Sequence, residues 1–368
     1  MSKPFSATPF LTQLYKALHE EGHELFIIPY SGKSISSPWW TCYDNPNYQK
    51  GEILGKIIKK SKISMGNSSN IIPFFAKKFA KPNLEKSIKK ILTSVKEIDV
   101  MLFIAVPLNQ ISGLASSLRK SYDVPVLFYD VDLPTSLPEY GGFSFNYYPG
   151  ADLAEYDCFL ITSEGSKPKL LEMGARNVET VHIGIDPTEY TPVKTSKDID
   201  FFFYGHNGKS RIDNLTMMVT EPSKKLDYNF VVGGRDYPMD LGNSQFLGEQ
   251  LEFSKWIRFS CRAKINLNIV HDLHAKVFAT STARPFELSA LGCCIVSSPY
   301  NGLEKWFDTK KEILLVKSEK ECIEIYKMLM DDEELRHKMG NAAQQRVKNE
   351  HTSRHRARQM IEIIKKFV

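Results

Sequence analysis

Residues 284–307, RPFELSALGCCIVSSPYNGLEKWF, decide how this chain is read. Arg284 and Glu287 lie three apart and share a face at a helix start. Ala290 and Leu291 lead into Gly292, which tolerates the left-handed conformation that closes helices. Residues 293–296 are apolar and β-prone, and Ser297, Ser298 and Pro299 stop the strand. A cation and a carboxylate beside a strand with a small polar end suit a ligand carrying phosphates and a ribose. Arg284 and the free helix N–H groups face phosphate, and Glu287 accepts from sugar hydroxyls. Alone, an R-x-x-E pair is better read as a surface ion pair on an amphipathic helix. The pattern around it reverses that reading.

Strand and helix patterns alternate through most of the chain. ELFIIP (24–29), DVMLFIAV (99–106), VPVLFYD (124–130), DCFLITS (157–163) and VETVHIG (178–184) read as buried strands, with amphipathic helical patterns between them. This predicts an α/β fold, a parallel sheet covered by helices on both faces. The chain enters almost directly on a helix, TPFLTQLYKALHEEG, so a first strand is either absent or precedes this start. Residues 184–198 are polar, carry two prolines and read as a linker. The alternation then restarts with DIDFFFYG (198–205), YNFVVGG (228–234), KINLNIV (264–270), the opening segment and KEILLVK (311–317). Two Rossmann-like, doubly wound domains follow, over 1–190 and 197–350, with a C-terminal helix at 351–368. In such folds ligands lie outside the carboxyl ends of the strands. The second half places there Gly205-His206-Asn207-Gly208, Gly233-Gly234-Arg235 and Ser297-Ser298.

Composition is that of a globular chain, with 42% hydrophobic and 25% charged residues, and it leaves room for two cores. No apolar run approaches the ~20 residues that span a bilayer, and MSKPFSATPF lacks the apolar stretch of a secretory signal. The six cysteines form no C-x-x-C pair and no even framework, as expected of reduced cysteines in a cytoplasmic protein. The charge of +5 is unevenly placed. Lys50–Lys90 holds eleven lysines against two acids, Glu52 and Glu85, hence +9 locally. Ile53, Leu54, Ile57 and Ile58 recur among them at helical spacing, and Phe74, Phe75 and Phe79 lie in the same segment. A basic, apolar-faced helix of this kind lies on an anionic membrane surface, here the inner one, or is a solvated lysine face over a packed helix.

The chain resembles glycosyltransferases of the two-Rossmann-domain, GT-B type, and within them the CgeB-like, spore-maturation-type group. The residues that carry the resemblance are VLFYDVDLP (126–134), the run 163–190, FFFYGHNGKSR (201–211) and INLNI (265–269). RPFELSALG (284–292), GLEKWF (302–307) with KEILLV (311–316), and the closing helices from residue 332 complete it. It extends from about Leu11 to the C-terminus. It implies a nucleotide-diphosphate sugar donor held by the second domain and an acceptor held by the first. It also implies a C-terminal helix that crosses back to the first domain. The wider group often carries two glutamates eight positions apart. Glu287 matches the second, and Ala279 stands where the first would be, so Arg284 becomes the phosphate contact, as in the CgeB-like pattern.

Transfer from a nucleotide sugar requires charge on the leaving diphosphate to be stabilised and the acceptor hydroxyl to be positioned. The resemblance implies basic side chains and helix dipoles for the first task, without an essential metal and with no other cofactor. Arg284 with Lys209 or Arg211 are the candidate cations. The competing reading of Lys209 and Arg211 is helix-surface charge. Gly205 and Gly208 let backbone N–H groups approach phosphate, or form a plain turn. Ser298, Asn301, Gly302 and Glu304 border a loop that reaches the donor, unless Glu304 is simply a helix N-terminal acid. Asp130 and Asp132 end a first-domain strand, facing the space between the domains, where one orients or deprotonates an acceptor hydroxyl; turn capping is the alternative. Asp132 is favoured because it matches the family motif. His19 with His23, and His271 with His274, lack partners at zinc-ligand spacing.

The acceptor is a glycan, a lipid-linked group or a protein. Nucleic acid is not expected, because no recognition module interleaves aromatics with the lysines. Two other functions remain open on the sequence: a sugar-nucleotide epimerase of the same fold, and a degenerate, non-catalytic protein that binds polyanions or membrane through Lys50–Lys90.

Overall fold

The computed structural model describes residues 9–49, 51, 74, 76–95, 97–137, 139, 148–206, 209–237 and 240–368. The chain divides into two units, one of residues 1–182 with 353–368 and one of residues 183–352.

In the first unit α1 (Pro9–Glu20) buries Phe10, Leu11, Leu14 and Leu18, one apolar stripe at helical spacing. β1 (Phe26–Ile27) and β2 (Thr41–Cys42) then pair in parallel as a separate small sheet. After α2 (Lys81–Ser94) the chain runs β3 (Met101–Ile104), α3 (Leu108–Ile111), α4 (Leu114–Tyr122), β4 (Val126–Asp130), β5 (Cys158–Ile161), α5 (Lys167–Glu172) and β6 (Val178–Thr180). These four strands form one parallel sheet in the order β3-β4-β5-β6. All five residues of β4 are buried, the mark of a parallel strand covered on both faces. Phe128, Tyr156 and Phe159 pack edge-on and tilted at 5.4–5.6 Å between ring centroids. The strand expected at 24–29 is reduced to the half-buried β1, outside the main sheet. Pro29 follows it and has no N–H with which to continue a ladder.

The second unit begins at Ile183 and includes the whole polar stretch read as a linker. Ile185 N–H donates to His351 O at 3.3 Å and Tyr190 is buried, so 184–198 packs on this unit rather than hanging free. β7 (Ile199–Tyr204) leads to α6, a helix of mixed pitch over 212–225, then β8 (Phe230–Gly233) and β9 (Gln245–Phe246). α7 (Phe253–Arg262), β10 (Ala263–Asn268), α8 (Asp272–Lys276), α9 (Ala283–Ala290), β11 (Ile295–Ser297) and β12 (Ile313–Leu315) follow. The sheet is parallel throughout, in the order β12-β11-β10-β7-β8-β9. The strands grow outward on both sides of the central β7–β10 pair, which is the dinucleotide-fold order with its switch point between β7 and β10. Phe201 stacks on Phe230 at 4.4 Å and meets Tyr326 at 4.3 Å at the centre of this core. α10 (Glu319–Asp331) and α11 (Glu333–Glu350) close the unit.

α12 (Ser353–Ile364) returns to the first unit and packs on α1, as the resemblance implies. Ala357, Met360 and Ile363 form its buried stripe. Arg354 and Arg358 reach Glu21 at 3.1 and 2.8 Å, and the Arg358 hydrogen bond holds that carboxyl below its usual range. All six cysteines are free, and five of them are buried. Among the described residues no helix is long and apolar enough to cross a membrane.

Gly234 lies where β7 and β8 end together. Its φ is +127°, and a Cβ there would stand 1.8 Å from Gly205 O, a backbone atom that cannot step aside. Gly234→Ala is expected to cost the second unit about 3 kcal/mol or more, measured as a lowered urea midpoint.

Candidate active site

The carboxyl ends of β7 and β10 part at the switch point, and Arg211 occupies the gap. It ends the turn Lys209–Arg211 that follows β7. Its Nε donates to Ile269 O at 3.0 Å, just past β10, and its Nη1 donates to His206 O, just past β7. Burial, followed by the charge of Arg284, lowers its guanidinium to about 10. Arg211 forms no ion pair with a carboxylate among the described residues, so the neighbourhood favours an incoming anion. His271 caps the start of α8, its Nδ1 accepting from Leu273 N–H at 3.3 Å. Burial and the charges of Arg211 and His206 hold its ring at about 4, so it is neutral at pH 7.

The two glycine-bearing strand ends are tied together beside Arg211. Tyr237 donates to Gly205 O at 3.0 Å and Gly233 O at 3.1 Å. Its hydroxyl is raised by burial, and the charges of Arg211 and Arg284 oppose that shift. His206 pairs with Asp236 at 3.1 Å across the same two loops.

Arg284 and Glu287 stand in the first turns of α9. The guanidinium lies 4.5 Å from the centroid of the Trp256 ring, a cation–π arrangement, and its Nη1 is 3.4 Å from Glu287 Oε2. The other carboxylate oxygen, Oε1, accepts from Tyr190 OH at 3.1 Å. Glu287 is therefore oriented from both sides, and Arg284 keeps 29% of its side chain exposed. Thr282 at the N-cap makes no side-chain bond to the helix. The site thus gathers Arg211, which feels the charge of Arg284, Arg284 itself, a helix start without a side-chain cap and one positioned carboxylate. Cations, free helix N–H groups and a carboxylate are the groups that match phosphates and hydroxyls chemically.

Residues 216–362 match the family model described as glycosyl transferase-like. Solved structures share the fold over nearly the whole chain. A sucrose-phosphate synthase from Thermosynechococcus elongatus is 12% identical, with a TM-score of 0.63 over 97% of this chain and 92% of that one. HepE from Anabaena, in complex with UDP and glucose, is 11% identical, with a TM-score of 0.64 over 100% and 97%. A glycosyltransferase from Rickettsia africae is 14% identical, with a TM-score of 0.62 over 97% and 94%. The chain has the GT-B fold, and its residues 216–362 match the glycosyl transferase-like family. No curated protein matches it by sequence.

On this fold the residues picked out by sequence divide sharply. Arg284, Glu287, Arg211 and Gly205 belong to the site just described. Gly208 and the side chain of Lys209 lie outside the described residues. Ser298 is fully buried, and its hydroxyl accepts from Val270 N–H at 3.1 Å; it joins the ends of β10 and β11 and has no face left for a ligand. Gly302 (φ +88°) packs on Ala279, whose N would lie 2.4 Å from a Cβ at that position, so its part is close backbone approach. Ala279 is itself fully buried with φ +47°, so the place of the absent glutamate is closed by packing. Glu304 is exposed in the turn Leu303–Lys305.

Asp130 is not available as a base. Its Oδ1 accepts from Asp132 N–H at 2.8 Å, and its Oδ2 from Ser136 at 2.7 Å and Tyr148 at 2.5 Å, with no exposed surface. Burial raises its carboxyl. These bonds fold the loop after β4 and leave Asp132 exposed at its turn. Crowding by the surrounding chain, with the charge of Asp130, raises the Asp132 carboxyl to about 6.

Sequence reasoning missed Tyr190, Trp256 and Tyr237. Each acts on a residue 28 to 97 positions away, so no local spacing marks it. Tyr190→Phe is expected to cost about 1 kcal/mol of stability through the lost hydrogen bond and to weaken donor binding by loosening Glu287. Denaturant unfolding and titration calorimetry on the same variant measure the two effects.

Proposed function

We propose that the protein moves a sugar from a nucleotide-diphosphate sugar to an acceptor hydroxyl. The observation that carries this reading is Arg211, a desolvated guanidinium between two strand ends that senses Arg284 and has no carboxylate paired to it among the described residues. In the reaction these two guanidiniums take up the charge of the departing nucleoside diphosphate. Glu287, fixed by Tyr190, accepts from the ribose hydroxyls. Asp132 of the first unit orients or deprotonates the acceptor hydroxyl, which a glycan, a lipid-linked group or a protein supplies. Charge stabilisation by side chains is expected to make the transfer independent of metal. The Anabaena relative holds UDP and glucose, so UDP and UDP-glucose are the first donors to test.

Titration with UDP and with uridine tests the donor half. Arg284→Ala is expected to weaken UDP binding tenfold or more, the loss of a charge-assisted hydrogen bond, and to leave uridine binding nearly unchanged. Equal losses for both ligands would make Arg284 a structural residue. Absence of any nucleoside diphosphate binding by the folded wild type would sink the function.

The acceptor half predicts a pH profile. A base is active when deprotonated, so kcat/KM should rise with pH and level off above about 6, the value to which Asp132 is raised. Below that pH it should fall about tenfold per unit. In Asp132→Asn the acidic limb should disappear together with most of kcat. An unchanged profile in the variant would assign the limb to another group.

A further inference from the structure

The donor site makes no use of the lysine-rich segment that precedes β3. Its described part is the π-helical turn Ala76–Ala80 leading into α2. The inner face of α2 is committed to the first unit. Leu84 is buried in its core with Ile88 and Leu92 packed against that core, and Ile91 is buried as well. Lys81 donates to Ser112 O at 2.7 Å, Asn83 to Asn47 Oδ1 at 3.0 Å, and Ser117 to Glu85 at 2.6 Å. The helix is therefore held in one rotation about its axis. That rotation leaves Lys86 and Lys90 exposed, as are Lys77 and Lys78 of the preceding turn. At the same end Phe74 is 59% and Phe79 54% exposed, and Lys78 lies 5.6 Å over the Phe79 ring. From 76 to 95 the segment carries six lysines and one acid, Glu85.

We propose that this face docks the protein on an anionic lipid bilayer. A purely solvated lysine face has no need of large exposed aromatic rings at its edge. An interfacial helix does, because rings enter the boundary between headgroups and acyl chains while lysines meet the lipid charge. The orientation is imposed by packing, so the basic face exists before any membrane is met and little ordering cost is added on binding. The proposal stands apart from the donor site, which lies in the other unit, so either reading can fail without the other.

Flotation of the full chain with vesicles tests it, comparing phosphatidylcholine alone with phosphatidylcholine containing phosphatidylglycerol. The wild type is expected to float with the anionic vesicles only, and less as salt rises. Charge reversal at Lys77, Lys78, Lys86 and Lys90 should weaken binding by about fivefold or more per lysine. Phe74→Ser with Phe79→Ser should also release the protein while leaving its circular dichroism and UDP affinity unchanged. Equal partitioning to neutral and anionic vesicles would overturn the proposal. So would a phenylalanine variant that binds anionic vesicles like the wild type, since that would describe a site for any polyanion.

Discussion

Arg211 has to be held where the two halves of the second sheet diverge. A guanidinium withdrawn from water needs acceptors for its donors, and an isolated buried charge would be too costly to keep. The parting strands supply what it needs. The β7–β10 ladder ends at Phe202 and Asn266, so His206 O and Ile269 O lie beyond it with no strand partner to serve. Hydrogen bonding is thereby satisfied at the switch point and positive charge is left over. The same position forces the neighbouring strand ends close together. Gly234 and Gly205 approach within backbone distance, and Tyr237 spans Gly205 and Gly233.

The second layer of the site is built from side chains that never touch the switch point. Trp256 lies under Arg284, and Tyr190 holds Glu287 from the side opposite the guanidinium. This divides the labour between a charge fixed by backbone and a charge fixed by aromatic packing. The first unit handles its carboxylates in the reverse sense. Asp130 spends both oxygens on folding the loop after β4 and thereby leaves Asp132 exposed.

Much of the fold was legible in the chain because periodicity reports burial directly. Unbroken apolar runs such as FFFY and VLFYD mark strands covered on both faces, and the spacing of Ala357, Met360 and Ile363 marks the buried stripe of the last helix. Weak, short elements escaped. β9 has two exposed residues, and β1 shrank at Pro29. The candidate site was legible only in part. Arg284 and Glu287 share a helix face, so three-residue spacing exposes them. Arg211 was weighed against ordinary surface charge, because nothing local distinguishes a buried arginine from a solvated one. Ser298 and Asp130 carry the right chemistry at the right strand ends, yet their polar atoms are consumed by Val270 N–H and by Ser136 and Tyr148.

By itself the sequence determined the elements, their alternation and the edge of the sheet at which ligand chemistry gathers, since these follow from local propensity and from which residues avoid water. It also determined that the segment from Arg284 to Glu287 would open a helix beside a strand with a small polar end. Tertiary structure alone decided which polar groups remain free to act. A hydrogen bond satisfied across tens of residues removes a side chain from chemistry, and one satisfied by a strand-end carbonyl leaves a guanidinium its charge. That is why Arg211 emerges at the centre of the site, why Asp130 leaves it, and why the place of the missing glutamate at Ala279 is filled by packing.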